Sequence, residues 1–160
     1  MTLSTNSPYV FNEPIKTILA LVTTVARVGY AFTASDLKTI IMPVTCFAIL
    51  NAPSPPSPLT VFRILAWSWI HLLQFNTANQ AYSPAEDAAN KPYRPIPSGM
   101  MTVKSTYILR WALVPICLYH SWTDDVLLPS LILTVSFAVF NEGGLHYYWQ
   151  VNRIIIVSLV

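Results

Sequence analysis

The sequence predicts an all-α fold, a polytopic membrane helix bundle of about four to five transmembrane helices. Three observations carry that reading. Hydrophobic residues make up 54% of the 160 and charged residues only 10%, where a water-soluble domain carries about 25% charged residues. The mean hydropathy is +0.50. The apolar residues are gathered into long stretches, and seven of the nine Lys and Arg residues fall between or at the ends of those stretches. A chain this small cannot bury so much apolar surface and still cover its outside with so few charges.

The elements follow in chain order. Residues 1–12 are polar and lack a basic stretch leading into an apolar core, so they do not read as a cleaved signal peptide. In residues 15–30, Ile15, Ile18, Leu19, Val22, Val25 and Ala26 share one helical face. That pattern predicts an interfacial helix ahead of the first span. Spans are predicted over 37–51, 59–83, 106–122 and 126–140, and a fifth begins near Ile154. The first and fourth are short for a crossing of ~20 residues and need flanking residues to reach. Pro43, Pro115 and Pro129 are expected to interrupt helices, which a membrane bundle tolerates when neighbouring helices satisfy the freed backbone groups. Residues 1–35 form a tail with the interfacial helix, and 36–160 form the bundle, together one truncated membrane domain.

The cations orient the bundle. With a cytoplasmic N-terminus, Lys16, Arg27, Lys38, Lys91, Arg94, Lys104 and Arg153 lie at cytoplasmic ends or loops, and the opposite loops 51–58 and 123–125 hold no Lys or Arg. Arg63 and Arg110 fall within spans and are expected to snorkel to an end. Cys46 and Cys117 sit in apolar stretches and match neither a disulfide framework nor a zinc spacing. No basic run points to nucleic acid.

The second span does not end apolar. Asn76, Asn79, Ser83, Glu86 and Asp87 lie within about one helical face, and polar groups at membrane depth mark a site or cavity. A proline-stiffened loop with Lys91 and Arg94 follows. Carboxylates and amides facing cations suit an anion bridged by a divalent metal, since magnesium takes hard oxygens and substrate phosphates while Lys and Arg neutralise the remaining charge. His71 reads as a hydrogen-bonded structural histidine, and Trp67 and Trp69 as lipid-facing or interfacial. Asp124 and Asp125 fall across the membrane from the motif and are excluded as ligands.

The run from Asn79 to Gly99, N-Q-A-Y-S-P-A-E-D-A-A-N-K-P-Y-R-P-I-P-S-G, resembles the first acidic motif and following loop of the UbiA-type intramembrane prenyltransferases. It is nearest the fungal branch that includes membrane-bound terpene cyclases. Asn79 matches the first Asn of that motif and Asp87 its last Asp, while Gln80 and Ser83 replace two Asp and Glu86 is an added carboxylate. The resemblance implies a nine-helix bundle of which this chain would be the N-terminal half, a prenyl diphosphate substrate, and Mg2+ as cofactor. It assigns catalysis to Asn79 and Asp87, metal binding to Asn79, Ser83, Glu86 and Asp87, and diphosphate contact to Lys91 and Arg94. The implied activity is prenyl transfer to an acceptor. Cyclisation of a farnesyl-type diphosphate to a terpene is the second reading, and a non-catalytic fragment or assembly partner the third. The second acidic motif lies outside this sequence, so the chain is expected to be inactive alone or to pair with a second half-bundle. The expected location is a multi-pass membrane, the endoplasmic reticulum, with the motif cytoplasmic.

Overall fold

The computed structural model describes residues 13–148, and within them the fold is all-helical. The expected fifth span near Ile154, together with Arg153 and residues 1–12, lies outside the described residues. In order the elements are α1 (Glu13–Thr33), a π-helical turn (Leu37–Ile41), α2 (Met42–Leu50), α3 (Pro58–Tyr82), α4 (Pro84–Asn90), α5 (Val103–Thr123), α6 (Leu127–Asn141) and a 3-10 turn (Leu145–Tyr147).

Local chemistry sets most of these boundaries. Ser57 and Thr102 cap α3 and α5, each hydroxyl accepting a backbone N–H three residues on, from Thr60 and Ser105 at 3.1 Å. Pro43 stands in the first turn of α2, and the turn before it widens so that the Met42 N–H reaches the Leu37 carbonyl. Pro129 is the third residue of α6, where its missing N–H is one of four with no intrahelical partner. Only Pro115 lies inside a helix, so the expectation of three interrupted helices is corrected to one. Gly143 ends α6 with a close approach: a Cβ there would stand 2.4 Å from the Val139 carbonyl oxygen.

α3 is the centre of the bundle, touching α1, α2, α5 and α6. α5 runs antiparallel to it, since Trp67 Nε1 donates to Ser121 Oγ at 2.7 Å while Tyr82 meets Tyr107 edge-on. α6 returns alongside α3, with His71 Nε2 and Ser130 Oγ 2.6 Å apart. The ring of His71 also stacks on Trp67 and its Nδ1 meets the Trp67 carbonyl at 2.8 Å, which agrees with a structural histidine. Trp67 and Trp69 both turn inward, the latter donating to Thr33 Oγ1 at 3.0 Å. The expectation that they face lipid is corrected: an indole N–H with a partner inside the bundle is drawn there.

The distribution of polarity is inverted. Among the described residues fifteen polar or charged side chains are buried against nine apolar ones. Phe47, Leu59, Phe62, Ile108, Leu128 and Ile132 are well exposed. The buried residues of α3 include Ser68, His71, Gln74, Asn76, Thr77 and Gln80. By length and apolar composition α1 is the one described helix fit to cross a membrane; Leu37–Leu50 and Leu127–Asn141 are apolar but shorter. α3 and α5 are 25 and 21 residues long. Their inward polar residues lower their apolar average.

The two arginines within the spans take different routes. Arg63 reaches the α5–α6 turn, donating to the Thr123 carbonyl at 3.1 Å and pairing with Asp124. Arg110 does not snorkel: its side chain is 0% exposed and its Nε lies 3.3 Å from Glu142 Oε1. Its partner Glu142 directly follows α6, and its guanidinium carbon lies 5.2 Å from the centre of the Trp111 ring. Replacing Glu142 with Ala leaves that guanidinium buried and unpaired, at an expected cost of about 3–5 kcal/mol. Thermal unfolding in detergent measures the loss, and a joint Arg110→Met, Glu142→Met replacement should restore most of it.

Candidate functional site

The site is built where α3 gives way to α4. Ser83 leaves helical geometry (φ −123°, ψ 46°) and Pro84 has no N–H, yet the i→i+4 bonding persists. The N–H groups of Ser83, Asp87 and Lys91 reach the carbonyls of Asn79, Ser83 and Asp87 at 3.2, 3.1 and 2.7 Å. Asn79, Ser83 and Asp87 are therefore set one turn apart. Asn79 and Ser83 are half-buried and Asp87 is buried.

The loop after α4 folds back as a chain of turns. Arg94 N–H meets the Lys91 carbonyl, Ser98 N–H the Arg94 carbonyl, and Met101 N–H the Pro95 carbonyl, each at 3.0 Å. Pro92, Pro95 and Pro97 fix φ along it, and Gly99 supplies the left-handed residue (φ +76°). The turns bring Arg94 onto Asp87: Nη1 donates to Oδ1 at 2.6 Å, with both side chains 8% exposed. This charge-assisted bond is short and desolvated. It leaves Asp87 Oδ2 and Arg94 Nε buried with no partner. The pair thus keeps one acceptor and one donor unengaged.

The front of the motif does something else. Gln80 donates its amide to the Phe32 carbonyl at 3.1 Å, and Asn76, one turn earlier, donates to the same oxygen at 2.9 Å and to Asp36 Oδ2 at 2.8 Å. Phe32 lies in the last turn of α1, whose terminal carbonyls have no intrahelical donor. The neutral Gln80 is thereby explained. An ionised carboxylate there would face a carbonyl oxygen and have no proton to give. Asn76, expected on the polar face of the motif, thus joins Gln80 in holding the end of α1, and sequence reasoning assigned no part to their partners Phe32 and Asp36.

The sequence-expected residues are therefore not equally gathered. Asp87 and Arg94 meet directly. Lys91 is half-buried one turn beyond Asp87, and Glu86 points to an exposed surface. Among the described residues no three His, Cys, Asp or Glu side chains form a metal cage. The donor set of amide oxygen, hydroxyl and one orphaned carboxylate oxygen still fits magnesium, which needs one or two carboxylates and completes its shell with phosphate and water. Asp124 pairs with Arg63 and sits 3.3 Å from His120 at the opposite end of α3. A cleft of about 490 Å³ opens there, lined by Arg63, Trp67 and Asp124. It is remote from the motif, since 25 helical residues span roughly 37 Å.

Known proteins resemble this chain in sequence. A sequence model of the UbiA prenyltransferase family matches residues 40–157. The fumagillin beta-trans-bergamotene synthase of Aspergillus fumigatus is 30% identical over 116 residues, which are 72% of this chain and 40% of that protein. A diterpene cyclase of Hericium erinaceus is 31% identical over 129 residues, 74% of this chain and 41% of that one. A polyprenyl transferase of Hericium erinaceus is 28% identical over 127 residues, 74% and 44%. The chain thus spans about two fifths of the length of these curated relatives. No solved structure matches it.

Replacing Gln80 with Glu should destabilise the fold by about 1–3 kcal/mol, because the Phe32 carbonyl loses a donor and gains a buried charge. Urea or thermal denaturation reads this directly. An unchanged midpoint would show that the amide contributes nothing to holding α1.

Proposed function

The chain belongs to the UbiA prenyltransferase family, and from that premise we propose that it binds an allylic prenyl diphosphate at the Asn79–Gly99 motif and assists its ionisation. The observation that carries this reading is the buried Asp87–Arg94 pair with its unpartnered Oδ2 and Nε. Arg94 Nε is a donor for a phosphate oxygen, and Lys91, one turn beyond Asp87, adds charge at the same mouth. Asp87 Oδ2, with the side chains of Asn79 and Ser83, would hold Mg2+; Glu86 reaches that group only by turning in from the surface. A bound magnesium supplies charge withdrawal from the leaving diphosphate. Asp87 also keeps the Arg94 guanidinium aimed before substrate arrives, so little reorganisation is needed at the moment of bond breaking.

The site belongs to a membrane bundle in this reading. α2, α3, α5 and α6 cross, with α4 and the loop of Lys91 and Arg94 on the cytoplasmic face of the endoplasmic reticulum. The apolar exterior and polar interior support it. So does the far end, where Arg63 is the one cation among the described residues and is engaged by Asp124. A second half-bundle, in this chain's product or a partner, would complete the cavity.

Prenyl transfer to an acceptor is the proposed outcome. Cyclisation without acceptor is the second reading, favoured by two observations: matched relatives are named as terpene synthase and cyclase, and the motif has surrendered Gln80 to a structural bond. Membranes carrying the chain together with its second half-bundle, incubated with labelled farnesyl diphosphate and magnesium, should release diphosphate. Label moving to an added aromatic acceptor supports transfer, and a hydrocarbon formed without acceptor supports cyclisation.

The ion pair can be tested without dismantling it. Exchanging the two residues (Asp87→Arg with Arg94→Asp) retains opposite charges but turns a carboxylate toward the phosphate. Diphosphate release should fall at least about 100-fold, the scale of losing one aimed donor, while the unfolding midpoint moves little. Equal activity in the exchanged protein would end the assignment of Arg94 to the substrate.

A further inference from the structure

We propose that the cleft at the end of α3 remote from the motif seats a zwitterionic glycerophospholipid, its phosphate on Arg63, its ammonium on Asp125 and an ester carbonyl on Ser68. The inference rests on the membrane reading above, which puts this cleft at the opposite interface and gives it no role.

The cleft is lined from three sides. α2 and α6 both pack against α3. Arg63, Trp67 and Ser68 come from α3, Val44 from α2 and Pro129 from α6. Asp124 and Asp125, in the turn between α5 and α6, complete it. Its volume of about 490 Å³ has room for a head group and the start of a chain. The rest of the chain would lie on the apolar exterior, where Phe47, Leu59 and Phe62 are already exposed.

Its polar groups say what fills it. Arg63 makes its bonds to Thr123 and Asp124 through Nη2 alone, and half of its side chain is exposed. Nη1 and Nε are left for an anion. Asp124 already meets Arg63 and His120. Asp125 beside it is exposed and adds a second negative charge. One arginine with two aspartates opposes a plain anion, whereas a phosphate joined to an ammonium matches both signs. A primary ammonium also has protons to donate to the Asp125 carboxylate, which a quaternary one lacks; the fitting head group is ethanolamine. Ser68 gives the third contact. It is 7% exposed, it lines the cleft, and its Oγ has no partner among the described residues. Thr77 and Ser136 instead turn their hydroxyls back to a carbonyl four residues earlier, at 2.9 and 2.8 Å. A buried hydroxyl left unbonded is costly, and a ligand carbonyl relieves that cost. Ser68 stands five residues, roughly 8 Å, inward of Arg63 along α3. The ester groups of a glycerophospholipid lie inward of its phosphate in the same sense.

Lipid retention tests this. The chain is purified in detergent, alone and with its second half-bundle, and exposed to phosphatidylethanolamine, phosphatidylglycerol or a diether phosphatidylethanolamine. Native mass spectrometry counts the lipid that stays bound. Phosphatidylethanolamine should be held about 5-fold more tightly than phosphatidylglycerol, the scale of one hydrogen bond. The diether, which has no carbonyl, should bind about 5-fold more weakly than the diester. Ser68→Ala should erase the diester advantage, and removing an unbonded hydroxyl leaves the fold intact. Asp125→Asn should erase the preference for ethanolamine. Asp125 has left-handed backbone (φ +58°), which Asn adopts as readily, so only the charge is lost. Retention that ignores head group and linkage, or variants that bind like the parent, overturns the inference. So does retention by the chain alone that disappears with the second half-bundle, because a helix then covers the cleft. A chain that stays monodisperse without detergent overturns the membrane reading itself, and the lipid seat with it.

Discussion

The constraint on which this structure depends is that polar groups on α3 must find partners inside the bundle. Its outer surface is apolar and its inner surface is not. His71, Gln74, Asn76, Thr77 and Gln80 are buried along it, and an unpaired polar group in a dry interior costs about as much as a lost hydrogen bond or more. The neighbouring helices answer with hydroxyls and carbonyls: Ser130 for His71, Thr134 for Gln74, the end of α1 for Asn76 and Gln80. Helix positions in this bundle are set by these bonds as much as by apolar contact. The small apolar cluster of Phe32, Leu73 and Leu113 fills the space they enclose.

The motif divides along the same line. Its front half, Asn76 and Gln80, faces α1 and serves architecture. Its rear half, from Asn79 through Asp87, faces the loop and keeps free oxygen atoms. Arg94 joins the two functions, because the same pair that closes the loop onto α4 leaves a donor and an acceptor unspent. The neutral residue at Gln80 has a structural reason, its bond to the Phe32 carbonyl. The buried carboxylate of the motif is Asp87, while Glu86 is exposed.

Much of the helix plan was legible in the sequence, because long apolar stretches and capping residues such as Ser57 and Thr102 are local signals. The continuity of the Asn79–Gly99 motif was legible for the same reason. What sequence could not supply was direction. Arg110 and Arg63 look alike as lone cations in apolar runs, yet one is enclosed beside Glu142 and the other reaches Asp124. Nothing within a few residues of either decides that; the packing of α5 and α6 does. Gln80 read only as a replacement of a motif Asp because its partner is a backbone oxygen 48 residues earlier. Trp67 and Trp69 read as surface anchors because the hydroxyls that hold them, Ser121 and Thr33, are equally remote in sequence.

The spacing of those contacts has a consequence for biogenesis. Arg63 reaches partners 60 and 61 residues downstream, His71 one 59 downstream and Gln74 one 60 downstream. When α3 leaves the ribosome, none of these partners has been synthesised. A helix bearing a cation, a histidine and several amides is a poor passenger for the lipid phase on its own. In the membrane bundle proposed above, it would linger beside the insertion machinery until the α5–α6 hairpin emerges, and enter the bilayer together with it as one unit.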